Sequence, residues 1–155
     1  AGITPDVMTL AKSLGGGLPI GAMCTTEKVA AAFTPGSHGS TFGGNPVACA
    51  AATAALQALA EPRLLEHVRT VGAHFRARLD ALAARHPMIR QVRGLGLMIG
   101  VELDRPGAGV VERCRADGLL INCTAERVLR FLPPLIIRRP EIDEGFVILE
   151  RALAA

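Results

Sequence analysis

The sequence lacks the marks of several broad protein classes. Cys24, Cys49, Cys114 and Cys123 form no CxxC pair and keep no metal-ligand spacing with histidine, which argues against a disulfide framework or a zinc centre. They read as small buried hydrophobes in a reducing cytoplasm, and no metal site is expected. No apolar run reaches the roughly 18 residues of a membrane span; the alanine-rich stretch from Val47 to Ala60 is too short and too mildly hydrophobic. The first residues carry no secretory-signal pattern, so the expectation is a cytoplasmic protein without membrane association. Net charge is only +3 and the basic residues form no block, which leaves nucleic-acid binding without an electrostatic footprint. Tryptophan and tyrosine are absent, and Lys12 and Lys28 are the only lysines. Arginine cannot replace lysine where a nucleophilic amine is needed, because its guanidinium stays protonated. A general bias towards arginine explains the ratio, but not where the two lysines sit.

What is present fits a soluble globular chain: 155 residues, half of them hydrophobic and a fifth charged, enough for one domain or for pieces of two. Ala1-Gly2-Ile3-Thr4-Pro5-Asp6 has no initiator methionine and reads as the middle of a longer chain. Val7 to Leu10 has the apolar character of a buried strand end, and Ile20 to Thr25 reads as a second strand. Between them, Gly15-Gly16-Gly17-Leu18-Pro19 excludes helix or strand interior. Thr26 is placed to cap a short helix to Phe33, and Asn45-Pro46 to start one running to about Ala60. Glu61-Pro62 restarts a helix whose apolar positions, among them Leu65, Val68, Val71, Phe75, Leu79 and Leu82, recur at helical spacing up to His86-Pro87. Strands are predicted over 89–93, 97–103, 119–123 and 128–131, with a turn at Gly94-Leu95-Gly96, a helix over 107–117 and a last helix opening at Pro140. The alternation predicts an α/β protein: residues 1–61 as the end of a larger domain and 62–155 as a small C-terminal α/β domain.

Three places carry candidate chemistry. Lys12 follows a strand and precedes glycines that let a planar group lie close to the backbone; burial and nearby positive charge would favour its neutral, nucleophilic form. The alternative is a lysine snorkelling from a strand end. His38-Gly39-Ser40-Thr41-Phe42-Gly43-Gly44-Asn45-Pro46 sets a hydroxyl pair in a glycine-rich loop before a helix, a plausible phosphate site or an ordinary capped turn. Arg130, between Leu129 and Phe131 on an apolar strand, needs a carboxylate partner, from a substrate or from the protein itself. Gly94-Leu95-Gly96 leads into a strand rather than a helix, which rules out a dinucleotide fingerprint.

Taken in order, four segments resemble class III (ornithine/acetylornithine type) aminotransferases: Thr9 to Ala22 their cofactor-lysine region, Gly36 to Pro46 their phosphate loop, Arg93 to Glu102 the opening of their small domain, and Val128 to Leu135 their C-terminal arginine strand. The resemblance covers almost the whole chain and implies the C-terminal part of a pyridoxal 5'-phosphate-dependent transferase fold (fold type I). It makes Lys12 the lysine that carries pyridoxal 5'-phosphate and shuttles a proton. It makes Thr41 a hydrogen-bond donor to the cofactor phosphate of the partner subunit in a homodimer. Ser40 would touch the substrate, and Arg130 would grip the α-carboxylate shared by amino donor and 2-oxo acid. The family's acid at the pyridine nitrogen, its ring-stacking aromatic and its other phosphate loop lie upstream of the lysine, and this sequence offers no substitute. The isolated chain is therefore expected to bind the cofactor poorly. Pro35 to Thr41 and Leu119 to Thr124 look most like members that exchange an amino group between N-acetylornithine and 2-oxoglutarate in arginine biosynthesis. Ornithine, succinylornithine and 4-aminobutyrate types are the alternatives, and a non-catalytic remnant is another.

Overall fold

The computed structural model describes residues 2–154. The chain divides into two compact units, Ala1–Glu61 and Pro62–Ala155. In the first, β1 (Val7–Leu10) and β2 (Ala22–Thr25) pair antiparallel, from Val7 opposite Thr25 to Leu10 opposite Ala22. Asp6 closes the open end, its carbonyl accepting from Thr25 Oγ1 at 3.0 Å and from the Thr26 amide at 3.1 Å. A 3-10 turn at Lys12–Gly15 begins the connection, and the short α1 (Glu27–Ala30) follows β2.

The helix forecast at Asn45-Pro46 is α2 (Pro46–Ala60), and its cap is the one expected: Asn45 Oδ1 accepts from the amides of Val47 and Ala48 at 3.0 and 3.1 Å. Its small side chains let the 3-10 turn come close, and Ala48 and Ala52 are buried along with Leu14 and Gly15. Gly15 has no room for a side chain, since a Cβ there would stand 2.8 Å from Ile20 Cγ2. Contrary to expectation, β1 is not buried: Val7 and Met8 keep 42% and 45% of their surface exposed.

The second unit has its own core. A four-stranded antiparallel sheet, in the order β3 (Ile89–Leu95), β4 (Met98–Leu103), β6 (Val128–Phe131), β5 (Asn122–Thr124), packs one face against α3 (Pro62–Ala83), α4 (Ala108–Ala116) and α5 (Arg139–Ala154). Alternation decides the faces. Ile99, Val101 and Leu103 on β4 and Leu129 and Phe131 on β6 are buried, while Gly100, Glu102 and Arg130 turn the other way. Phe75 of α3 meets Phe131 and Phe146 of α5 edge-on, with centroids 5.5 and 5.8 Å apart. Burying one large apolar side chain of this kind contributes roughly 1.5–3 kcal/mol.

Two local forecasts shift. The turn between β3 and β4 falls at Gly96-Leu97, because β3 continues through Gly94 to Leu95. Gly94 sits at φ +147°, where a Cβ would lie 2.1 Å from the Met98 carbonyl. The hairpin also closes on α3 so tightly that a Cβ on Gly72 would stand 2.6 Å from the Gly96 carbonyl. The strand expected over 119–123 pairs only over Asn122–Thr124; Leu119 and Ile121 pack on the core without ladder bonds.

Candidate functional site

Lys12 leaves β1 in a left-handed backbone conformation, φ +59°, at the start of the 3-10 turn. For a residue with a Cβ that conformation costs about 1–2 kcal/mol, and such strain concentrates where function holds it in place. The turn's other residues anchor it from below through buried Leu14 and Gly15, while Lys12 itself stays exposed. The expected burial of the amine is thus not a property of this unit. Among the described residues Lys12 has no ion-pair partner, so its amine is not committed to a structural bridge.

Ser40 and Thr41 lie in the loop that leads to α2. The Gly43 amide donates to Ser40 Oγ at 3.0 Å, which fixes the turn and leaves the serine proton available. A side chain on Gly43 would press on Ser40, with a Cβ 3.0 Å from Ser40 Cβ. Thr41 is exposed and its hydroxyl has no partner among the described residues. Because Asn45 already occupies the amides of Val47 and Ala48, an anion here would be held by hydroxyls and loop amides rather than by those helix amides. Ser40, Phe42, Gly43 and Asn45 face Pro19, Ile20 and Gly21 across an open cleft of ≈ 470 Å³. Lys12 does not line it.

In the second unit Arg130 sits mid-strand on β6, half-buried, on the sheet face away from the core. The self-pairing alternative is not realised: among the described residues no carboxylate comes within ion-pair distance of its guanidinium. Its neighbour on that face, Arg93, is committed, bridging Glu102 and donating to Gln91 Oε1 at 2.9 Å. Pairs elsewhere on the unit are surface bridges. Arg105 beside Asp104, and Arg138 beside Glu141, hold those carboxyls below their ordinary range through side-chain hydrogen bonds. Burial pushes the Cys114 thiol up, which suits a core residue and not a nucleophile. Among the described residues no cluster of three metal-ligating side chains occurs, and no helix is long and apolar enough to cross a membrane.

Sequence reasoning missed the backbone strain at Lys12, which no side-chain pattern signals. It also missed Asn122, which stands opposite Arg130 in the sheet register.

Comparison with known proteins places these features in a family context. Residues 1–153 match the model of the class-III aminotransferases. An acetylornithine aminotransferase from Methanothermobacter thermautotrophicus is 48% identical over 153 residues, which are 99% of this chain and 39% of that protein. Acetylornithine aminotransferase 1 of Bordetella bronchiseptica is 54% identical over 144 residues, 93% of this chain and 37% of that one. The chain therefore spans less than half the length of these curated relatives. Among solved structures, the ornithine aminotransferase of Toxoplasma gondii crystallized with oxidized glutathione, described as holding pyridoxal 5'-phosphate at partial occupancy in its active site, superposes with a TM-score of 0.90. It is 37% identical, over 98% of this chain and 37% of that one. The α/β fold is that of the corresponding part of these aminotransferases.

Proposed function

This chain belongs to the class-III aminotransferases, and from that premise we propose that the full-length protein is a pyridoxal 5'-phosphate-dependent N-acetylornithine:2-oxoglutarate aminotransferase of arginine biosynthesis. The observation that carries the substrate choice is the 48–54% identity with acetylornithine aminotransferases over nearly the whole chain. On this reading residues 1–61 complete a larger cofactor-binding domain and residues 62–155 form the small domain. The enzyme works as a cytoplasmic homodimer.

The residues present suit the cofactor. Lys12 is an exposed amine on a strained, glycine-flanked backbone, and Thr41 offers an unpartnered hydroxyl in a glycine-rich loop. Bound pyridoxal 5'-phosphate would supply an aldehyde that condenses with amines and a ring that accepts the electrons of the C–H bond broken at the amine-bearing carbon. Lys12 Nζ would hold the cofactor through that aldehyde and, once freed by the amino donor, would move a proton between the substrate carbon that bears the amine and C4′ of the cofactor. Thr41 Oγ1 donates to a phosphate oxygen of the partner subunit's cofactor, and Ser40 contacts the substrate. With glutamate or 2-oxoglutarate bound, Arg130 receives the α-carboxylate through two parallel N–H donors, which orients the Cα–H bond.

The test is borohydride reduction of the full-length protein with pyridoxal 5'-phosphate, followed by peptide mass mapping. A pyridoxyl group on Lys12 is the expected result; no adduct there, or one on Lys28 alone, refutes the assignment. Rates with N-acetylornithine, ornithine and 4-aminobutyrate then decide the donor. The likeness to ornithine aminotransferase structures supports ornithine as the second reading. A clear preference for ornithine or 4-aminobutyrate would replace the first. Sedimentation of the active enzyme as a monomer would remove the role given to Thr41.

A further inference from the structure

The sheet face opposite the core carries a cross-strand row. Asn122 on β5 stands opposite Arg130 on β6, Arg130 opposite Gly100 on β4, and Gly100 opposite Arg93 on β3. Residues paired directly across antiparallel strands project to the same face, with Cβ atoms roughly 4.5–5.5 Å apart. Arg130 is therefore flanked by an amide on one side and by a position without a side chain on the other. A Cβ at Gly100 would press on Val128 Cγ1 at 3.1 Å and begin to fill that lane. Beyond it, Arg93 is neutralised by Glu102, so the row presents one uncompensated guanidinium.

Asn122 is exposed and, like Arg130, has no side-chain hydrogen bond among the described residues. A carboxylate held by the fork of an arginine spends one lone pair of each oxygen and keeps the others open to a further donor. An amide one strand away is well placed to supply it. An aspartate at 122 would instead pair with Arg130 and compete with the substrate, and a lysine would add a second charge and favour dianions. Resting on the reading of Arg130 as the carboxylate anchor, we infer that Asn122 is a second carboxylate-binding residue, its Nδ2–H donating to the α-carboxylate of amino donor and 2-oxo acid that Arg130 holds.

The test is steady-state kinetics of the full-length enzyme with glutamate and 2-oxoglutarate, comparing N122A, N122D and R130A with the parent at matched thermal midpoints. Loss of one hydrogen bond to a charged group should raise KM for both probes about tenfold in N122A, with kcat within about twofold. N122D should raise KM further, because its carboxylate occupies the guanidinium. If R130A raises KM while N122A and N122D leave it within about twofold of the parent, Asn122 has no such role and the Arg130 reading stands. If R130A itself leaves KM unchanged, the anchor reading falls and the inference with it.

Discussion

Residues 62–155 and residues 2–61 solve the same packing problem in opposite ways. The second unit encloses its apolar side chains between one sheet face and three helices, and Leu79, Leu82, Leu103, Leu129 and Leu149 are fully buried. The first unit buries little beyond Leu14, Ala48 and Ala52, and leaves Phe42 82% and Val47 68% exposed. Both use regular helices and paired antiparallel strands, so local structure alone does not separate them. What separates them is whether apolar faces meet within the same stretch of chain. The unit that carries Lys12, Ser40 and Thr41 is the one whose faces are unmet. A loop resting on so small a core has little of its own to hold it rigid.

The contrast is sharpest if the units are separated. Expressed alone, 62–155 should unfold in one cooperative thermal transition followed by circular dichroism, and 1–61 should show none; a cooperative transition in the shorter piece would break the comparison. Within 62–155, Leu129→Ala should cost about 2–5 kcal/mol in urea titration, the usual toll for a fully buried leucine. Lys12→Gly should do the reverse in the cofactor-free full-length protein. By relieving the left-handed strain it should stabilise by about 1 kcal/mol, and with pyridoxal 5'-phosphate and borohydride added it should yield no pyridoxyl adduct at position 12. A destabilised Lys12→Gly variant would show that the backbone strain is not what the side chain maintains. Ala125→Gly, at φ +47° in the β5–β6 turn, should stabilise 62–155 by a smaller amount, about 0.5 kcal/mol. The smallest effect concerns Glu141, whose carboxyl is held low by Arg138. A carboxyl lowered on folding stabilises above its unfolded value, near 4.5, and that contribution is lost as pH falls through the folded value. Glu141→Gln should therefore narrow the stability difference between pH 6 and pH 3 slightly, the pair being exposed.

Much of this molecule can be read from residue pattern. Asn45-Pro46 announces α2, the helical spacing from Leu65 to Leu82 announces α3, and the two runs Ile89 to Arg93 and Leu97 to Leu103 announce the β3–β4 hairpin. The errors have a common cause. Leu119 and Ile121 have strand composition, yet hydropathy cannot tell a residue that packs on a core from one that also pairs its backbone. Val7 and Met8 look buried for a similar reason: apolarity records that a face needs a cover, not that the same unit provides it. In the first unit residue types suggested an amine and hydroxyls, and in the second a guanidinium. The left-handed Lys12, the prior claim of Asn45 on two helix amides and the uncompensated charge of Arg130 became visible only in three dimensions.

The approach of Gly72 to the Gly96 carbonyl has a kinetic corollary. The β3–β4 hairpin and α3 are neighbours in sequence, and their pairing closes only short loops, whereas β5 and β6 must be brought in from further along the chain. Docking of hairpin on helix is thus a candidate for the folding nucleus. A methyl group at position 72 would obstruct that step before it disturbed anything later. In stopped-flow measurements, Gly72→Ala should slow refolding more than it speeds unfolding, whereas truncations in α5 should act mainly on the unfolding rate.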